Sequence, residues 1–242
     1  MRLATLRPLS RHPPFHLPTI SRRTMSHSPL STYLVSPNAL HYALRSSSPQ
    51  TTPHIIPLSA AWFLPNDPQR RTGRSSFLSR HIPHSRFFDI DAVADTTSPY
   101  PHMLPSAAAF ARAMGRLGIR RSDTVVVYDT PELGIFSAPR VAWTLRVFGH
   151  GRVHVLDNFK TWVEMGLPVE QGEEGNWEEV EYGEAEMEGG RVVGFEEVRE
   201  KVKGEGEGVQ VLDARSRGRW EGKDPEPRKG MGCGAGMITA FG

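Results

Sequence analysis

The sequence predicts an α/β fold, a parallel sheet flanked by helices on both faces, and three observations predict it. The run TVVVYD at 124–129 opens on four β-branched residues and ends in Asp129, the pattern of a strand covered on both sides. Apolar strand-like runs alternate with stretches of helical periodicity, the order that builds right-handed crossovers. Gly118, Gly149 and Gly166 stand where those helical stretches would stop. In sheets of this kind chemistry collects at the carboxyl ends of the strands.

The elements follow in order. TYLVSPNALHYAL, from Thr32, reads as a short apolar strand, a Ser/Pro cap and a helix. HIIPLSAAWFLP at 54–65 is an apolar run bounded by prolines, expected to be a buried strand. Residues 66–80 read as a surface loop, and RFFDIDAVAD at 86–95 as a strand ending in acidic residues. From Ser106 to Leu117 the apolar residues Ala109, Phe110, Ala113, Met114 and Leu117 recur at helical spacing. After strand 124–129 come a Gly-containing loop, a helix at 138–149, the strand VHVLD at 153–157 and a helix at 158–165. Residues 171–190 are acidic and Gly-rich with little periodicity, as in an interdomain linker. GFEEVREKV then predicts a helix, and VQVLDARS a new buried strand near 209–214.

Composition narrows the function. A net charge of +2 with 23% charged residues gives no broad electropositive footprint, so direct nucleic-acid binding is not expected. No apolar run approaches the length needed to span a bilayer, so no membrane span is expected. The first acidic residue is Asp67, whereas Arg2, Arg7, Arg11, Arg22 and Arg23 punctuate a Ser- and Pro-rich opening. That is the composition of an organelle transit peptide, expected to be mitochondrial, with Met25 as an alternative start for a cytoplasmic form. The alternative is a disordered basic tail, since Pro8, Pro13, Pro14 and Pro18 weaken any amphipathic helix. The only cysteine, Cys233, excludes an internal disulfide framework and a multi-thiolate zinc site.

Several motifs, in order, resemble the tandem-domain rhodanese / 3-mercaptopyruvate sulfurtransferase family in its eukaryotic, fungal-like form. They are WFLP at 62–65, HIPHSRFFDIDAVADTTSPYPHMLP at 81–105, VVVYDTPELGIFSAPRVAWTLRVFGH at 125–150, VLDNFKTW at 155–162 and VLDARSRGRWEGKDPEPRKG at 211–230. The resemblance implies a repeat of one fold. A disordered transit-like segment would occupy residues 1–30, a rhodanese-like domain 31–171 and an acidic linker 172–190. An incomplete second rhodanese-like domain would occupy 191–242.

In this family the second domain usually carries a catalytic cysteine that opens a loop whose amides point at the sulfur, lowering the thiol pKa and then holding a persulfide. The matching loop of the first domain begins Asp129-Thr130-Pro131, so that domain is expected to lack a nucleophile. By resemblance, Asp91 and His102 match a proton relay beside the nucleophile, a histidine backed by a carboxylate being suited to charging a thiol. Without the resemblance they read as a loop cap and a surface histidine. Arg219 and Arg228 match positions that bind the anionic donor, because a guanidinium fork pairs with planar or tetrahedral oxyanions in two contacts. Their bland alternative is surface charge beside Asp224 and Glu226.

Two readings of MGCGAGMITAFG at 231–242 stay open. In one, Cys233 to Ala240 is a compressed active-site loop with Cys233 as nucleophile. In the other, the segment is an altered Gly-rich turn and Cys233 is incidental, a thiol open to oxidation. A Cys-based phosphatase is excluded, since no arginine follows Cys233. The resulting expectation is a sulfurtransferase that uses a small anionic sulfur donor and a thiol or protein acceptor. The competing one is a catalytically silent binding module in a sulfur-relay pathway. Neither implies a metal or an organic cofactor.

Overall fold

The computed structural model describes residues 30–47, 53–173, 175–203 and 212–225 of the 242-residue chain. Five parallel strands lie in the order β1-β5-β4-β2-β3. They are β1 (Leu34–Val35), β2 (Ile55–Ser59), β3 (Arg86–Phe87), β4 (Thr124–Tyr128) and β5 (Val153–Leu156). The helices are α1 (Pro37–Ser46), α2 (Gly73–Ser79), α3 (Ala107–Arg116), α4 (Ala138–Val147), α5 (Phe159–Glu164), α6 (Phe195–Lys203) and α7 (Arg217–Trp220).

The period-2 alternation of β4 divides the core in two. Val125 and Val127 face a layer holding Phe110 and Met114 of α3 with Val141 and Leu145 of α4. Val126 and Tyr128 face Leu40 of α1 with Phe159 and Trp162 of α5. All five β4 residues are buried, which is why the run carries no polar alternation. The parallel sheet with helices on both faces is therefore the observed architecture.

Helix starts follow their caps. Ser36 accepts the amide of Ala39 at 3.3 Å ahead of Pro37, and Ser106 accepts that of Ala109 at 3.3 Å. Gly118, at φ 62°, takes the left-handed turn that ends the α3 segment.

Three expectations need correction. The loop expected at 66–80 contains α2, started by a reciprocal capping box between Thr72 and Ser75 and anchored by buried Phe77. Its Gly- and Ser-rich sequence hides it, and Gly73 is there because a Cβ would stand 1.8 Å from the Ala61 carbonyl oxygen. The strand expected over 86–95 pairs only through Arg86 and Phe87. The Asp89 carboxylate accepts the amides of Asp91 (3.0 Å) and Ala92 (3.2 Å), turning the chain out of the ladder.

The acidic segment 171–190, expected as an interdomain linker, is fastened to the sheet's helical layer. Trp177 Nε1 donates to Arg116 O (2.9 Å), Val180 N to Gly115 O (3.0 Å) and Glu188 N to Val147 O (2.7 Å). Tyr182, only 4% exposed, joins the core edge-on to Phe110. Finally, residues 212–214, the described part of the strand expected near 209–214, are not in a strand, and Leu212 is 81% exposed. None of the described strands pairs with them.

Candidate functional site

The carboxyl ends of β2, β3 and β4 converge on one face. β4 runs into Asp129, β2 into Ala60-Ala61-Trp62, and β3 into the turn that carries Asp91. Asp129 is 3% exposed, and its carboxylate accepts the backbone amides of Phe136 (2.6 Å), Ser137 (3.0 Å) and Ala138 (2.9 Å). The Ser137 hydroxyl donates to it at 2.5 Å. The loop 130–137 and the start of α4 thus form an anion cradle, and the anion in it is the chain's own carboxylate.

Beside the cradle, the structure brings Asp91 and His102 together. His102 Nε2 lies 2.7 Å from Asp91 Oδ1, and Trp62 Nε1 donates to Asp91 Oδ2 at 3.0 Å. A carboxylate can only accept, so Nε2 carries the proton and Nδ1 is the nitrogen left for chemistry. The Trp62 ring meets His102 edge-on at 4.8 Å and stacks on Phe136 at 6.0 Å and 15°. His102 sits at φ 56°, in the left-handed region, and Arg140 donates to its carbonyl oxygen. Arg140 is partly buried, which pulls its pKa below the usual guanidinium value, and its head lies over Trp143 at 4.6 Å.

On the loops that follow β2, β3 and β4, Leu64, Tyr100, Met103, Leu133, Ile135 and Phe136 are exposed, and Phe136 stacks on Trp62. A separate cavity of about 630 Å³ opens at the amino ends of the strands, with His41, Arg45, His54 and Trp162 among its lining. It is remote from Asp91 and His102, and the chemistry expected of a parallel sheet lies at the other end.

Of the remaining predicted residues, Arg219 lies on α7, where its amide donates to the Ser216 cap at 3.4 Å. Its charge adds to the side-chain and backbone bonds from Arg215 that hold the Asp213 carboxyl below its ordinary range. Arg228 and Cys233 lie outside the described residues. No group of His, Cys, Asp and Glu among the described residues is placed to hold a metal. None of the described helices is long and apolar enough to cross a membrane. Sequence reasoning gave Trp62, Phe136 and Arg140 no role. The one available signal was Trp62 directly after a buried strand, at the end where sites form.

No protein-family model matches the chain. It is 45% identical to rat 3-mercaptopyruvate sulfurtransferase over 140 residues, 57% of this chain and 46% of that protein. It is 46% identical to thiosulfate sulfurtransferase from Cricetulus griseus over 146 residues, 60% of this chain and 48% of that one. The chain thus spans about half the length of the curated relatives it matches. Among solved structures it superposes with TM-score 0.69 and 33% identity on the 3-mercaptopyruvate sulfotransferase SseA from Escherichia coli, a rhodanese fold. That match covers 83% of this chain and 72% of SseA.

Proposed function

The chain belongs to the rhodanese-like 3-mercaptopyruvate sulfurtransferase family, and from that membership we propose that it serves sulfur transfer through a cysteine persulfide. The donor is 3-mercaptopyruvate or thiosulfate, and the acceptor is cyanide, a small thiol or a protein thiol. The observation that carries this reading is the 2.7 Å bond between His102 and Asp91 at the carboxyl end of a parallel sheet.

With 3-mercaptopyruvate, the enzyme thiolate attacks the donor sulfur and an S–S bond forms. The C–S bond breaks, its electron pair goes to carbon, and the proton of the donor thiol ends on that carbon to give pyruvate. His102, with Nε2–H engaged by Asp91, offers Nδ1 as the stop for that proton. With thiosulfate the leaving group is sulfite, and no proton needs moving. Cys233 is the candidate sulfur carrier, and Arg219 and Arg228 the candidate anchors for the donor's negative charge.

The test is cyanide-dependent thiocyanate release with each donor. His102→Gln lowers kcat for 3-mercaptopyruvate by about a hundredfold, the size of a general acid–base contribution, with a much smaller effect on thiosulfate. Equal loss with both donors would remove the relay role. Activity surviving Cys233→Ser would remove that thiol as carrier.

The occupied Asp129 cradle favours a second reading, a catalytically silent binding module in a sulfur relay. No turnover with either donor, together with retention of a sulfur-carrier protein by the immobilised chain, would select it. The acid-free opening before Asp67 supports a mitochondrial address, with a cytoplasmic form beginning at Met25. The domain division at 31–171, 172–190 and 191–242 is part of the same proposal.

A further inference from the structure

We infer that Trp62 and Arg140, with Phe136 behind the indole, are positioning residues that fix the orientation of His102. The inference rests on the relay reading of His102 and Asp91 given above. Asp91 is a weak anchor by itself: its side chain is 63% exposed, and an exposed carboxylate rotates freely unless both oxygens are held. Trp62 supplies the second hold. Its N–H takes Oδ2 at 3.0 Å and leaves Oδ1 facing His102 Nε2.

The indole is itself constrained, with Phe136 stacked on it and the His102 ring against its edge. Phe136 is in turn tied through its amide to Asp129, so the carboxylate in the cradle also aligns the ring behind Trp62. The last restraint is on the backbone. A non-glycine residue at φ 56° persists only when its surroundings over-determine it, and the Arg140 guanidinium on the His102 carbonyl oxygen does so. Side chain and backbone are therefore held by separate partners. That is how a partly exposed histidine keeps Nδ1 aimed in one direction.

The experiment reads the His102 Nε2–H directly, in the full chain labelled with ¹⁵N-histidine, as the rate at which that proton exchanges with water by saturation transfer. His150, buried and bonded through Nε2 to the Asp123 carbonyl at 3.0 Å, is the internal control for folding. Trp62→Phe keeps an aromatic face and deletes the N–H. It speeds His102 exchange about tenfold, the effect of one bond to a charged group, and leaves His150 unchanged. Phe136→Ala alters an exposed ring, so folding survives, and it speeds His102 exchange by a smaller factor, about threefold.

Unchanged His102 exchange in both variants would overturn the positioning role. If Trp62→Phe unfolds the protein, seen as loss of the His150 signal, Phe136→Ala decides alone. Asp91→Ala, which deletes the acceptor, separates the positioning role from the relay reading. If it too leaves His102 exchange unchanged, the Asp91–His102 pair fails, and the relay reading with it. If it speeds exchange while Trp62→Phe and Phe136→Ala do not, only the positioning inference fails.

Discussion

Asp129 shows how one residue type decides what a loop can do. At the end of β4 it presents a carboxylate to three converging amides and a hydroxyl, so the cradle is filled from within. Asp129→Ala leaves those donors buried and unsatisfied and costs about 3 kcal/mol of stability, measured as a lowered urea midpoint. Asp129→Asn keeps one acceptor oxygen and loses less. Equal stability of all three proteins would mean that the loop's amides find other partners. His102 poses the opposite case, since its neighbours hold it by both side chain and backbone.

At the scale of elements, the strap at 175–188 holds to the α3–α4 layer through Tyr182, whose hydroxyl lies 2.8 Å from His150 Nδ1. His150 Nε2 faces the Asp123 carbonyl, so Nε2–H donates there and Nδ1 accepts from the phenol. Burial pushes the His150 pKa below its usual 6.5, only partly opposed by Asp123. The unfolded chain therefore binds a proton that the folded one resists. This contribution to stability is full above about pH 6.5 and is lost as pH falls below it. Urea unfolding at pH 7.5 and 5.5 is expected to show the loss, and His150→Gln to flatten it. Tyr182→Ala removes a buried aromatic ring from the core and costs about 3 kcal/mol. It also speeds proteolysis between residues 175 and 188, and an unchanged cleavage rate would mean that the strap holds by its backbone bonds alone.

Among the described residues, both core layers and the strap lie within residues 30–188. Limited proteolysis between residues 189 and 212 is expected to release a fragment that still melts cooperatively, followed by circular dichroism. Loss of cooperativity on cleavage would show that later residues complete the core.

The sequence by itself determined the layered architecture. β-branched runs such as 124–128 and the periodic stretch 106–117 encode local geometry and burial together, and their caps encode where helices begin. Asp91 and His102 were legible as candidates only through the resemblance of their motifs to the sulfurtransferase family; by themselves they read as a loop cap and a surface histidine. Local pattern could not reveal α2, whose Gly73 and serines look like loop until Thr72 closes its cap and Phe77 finds the core. Nor could it reveal the strap, whose acidic composition masks one tyrosine and one tryptophan that find partners only on α3, α4 and their neighbours. The hold of Trp62, Phe136 and Arg140 on the His102 site joins residues 62, 91, 102, 136 and 140. Their proximity comes from three strands ending at one edge, so only the tertiary structure decided it.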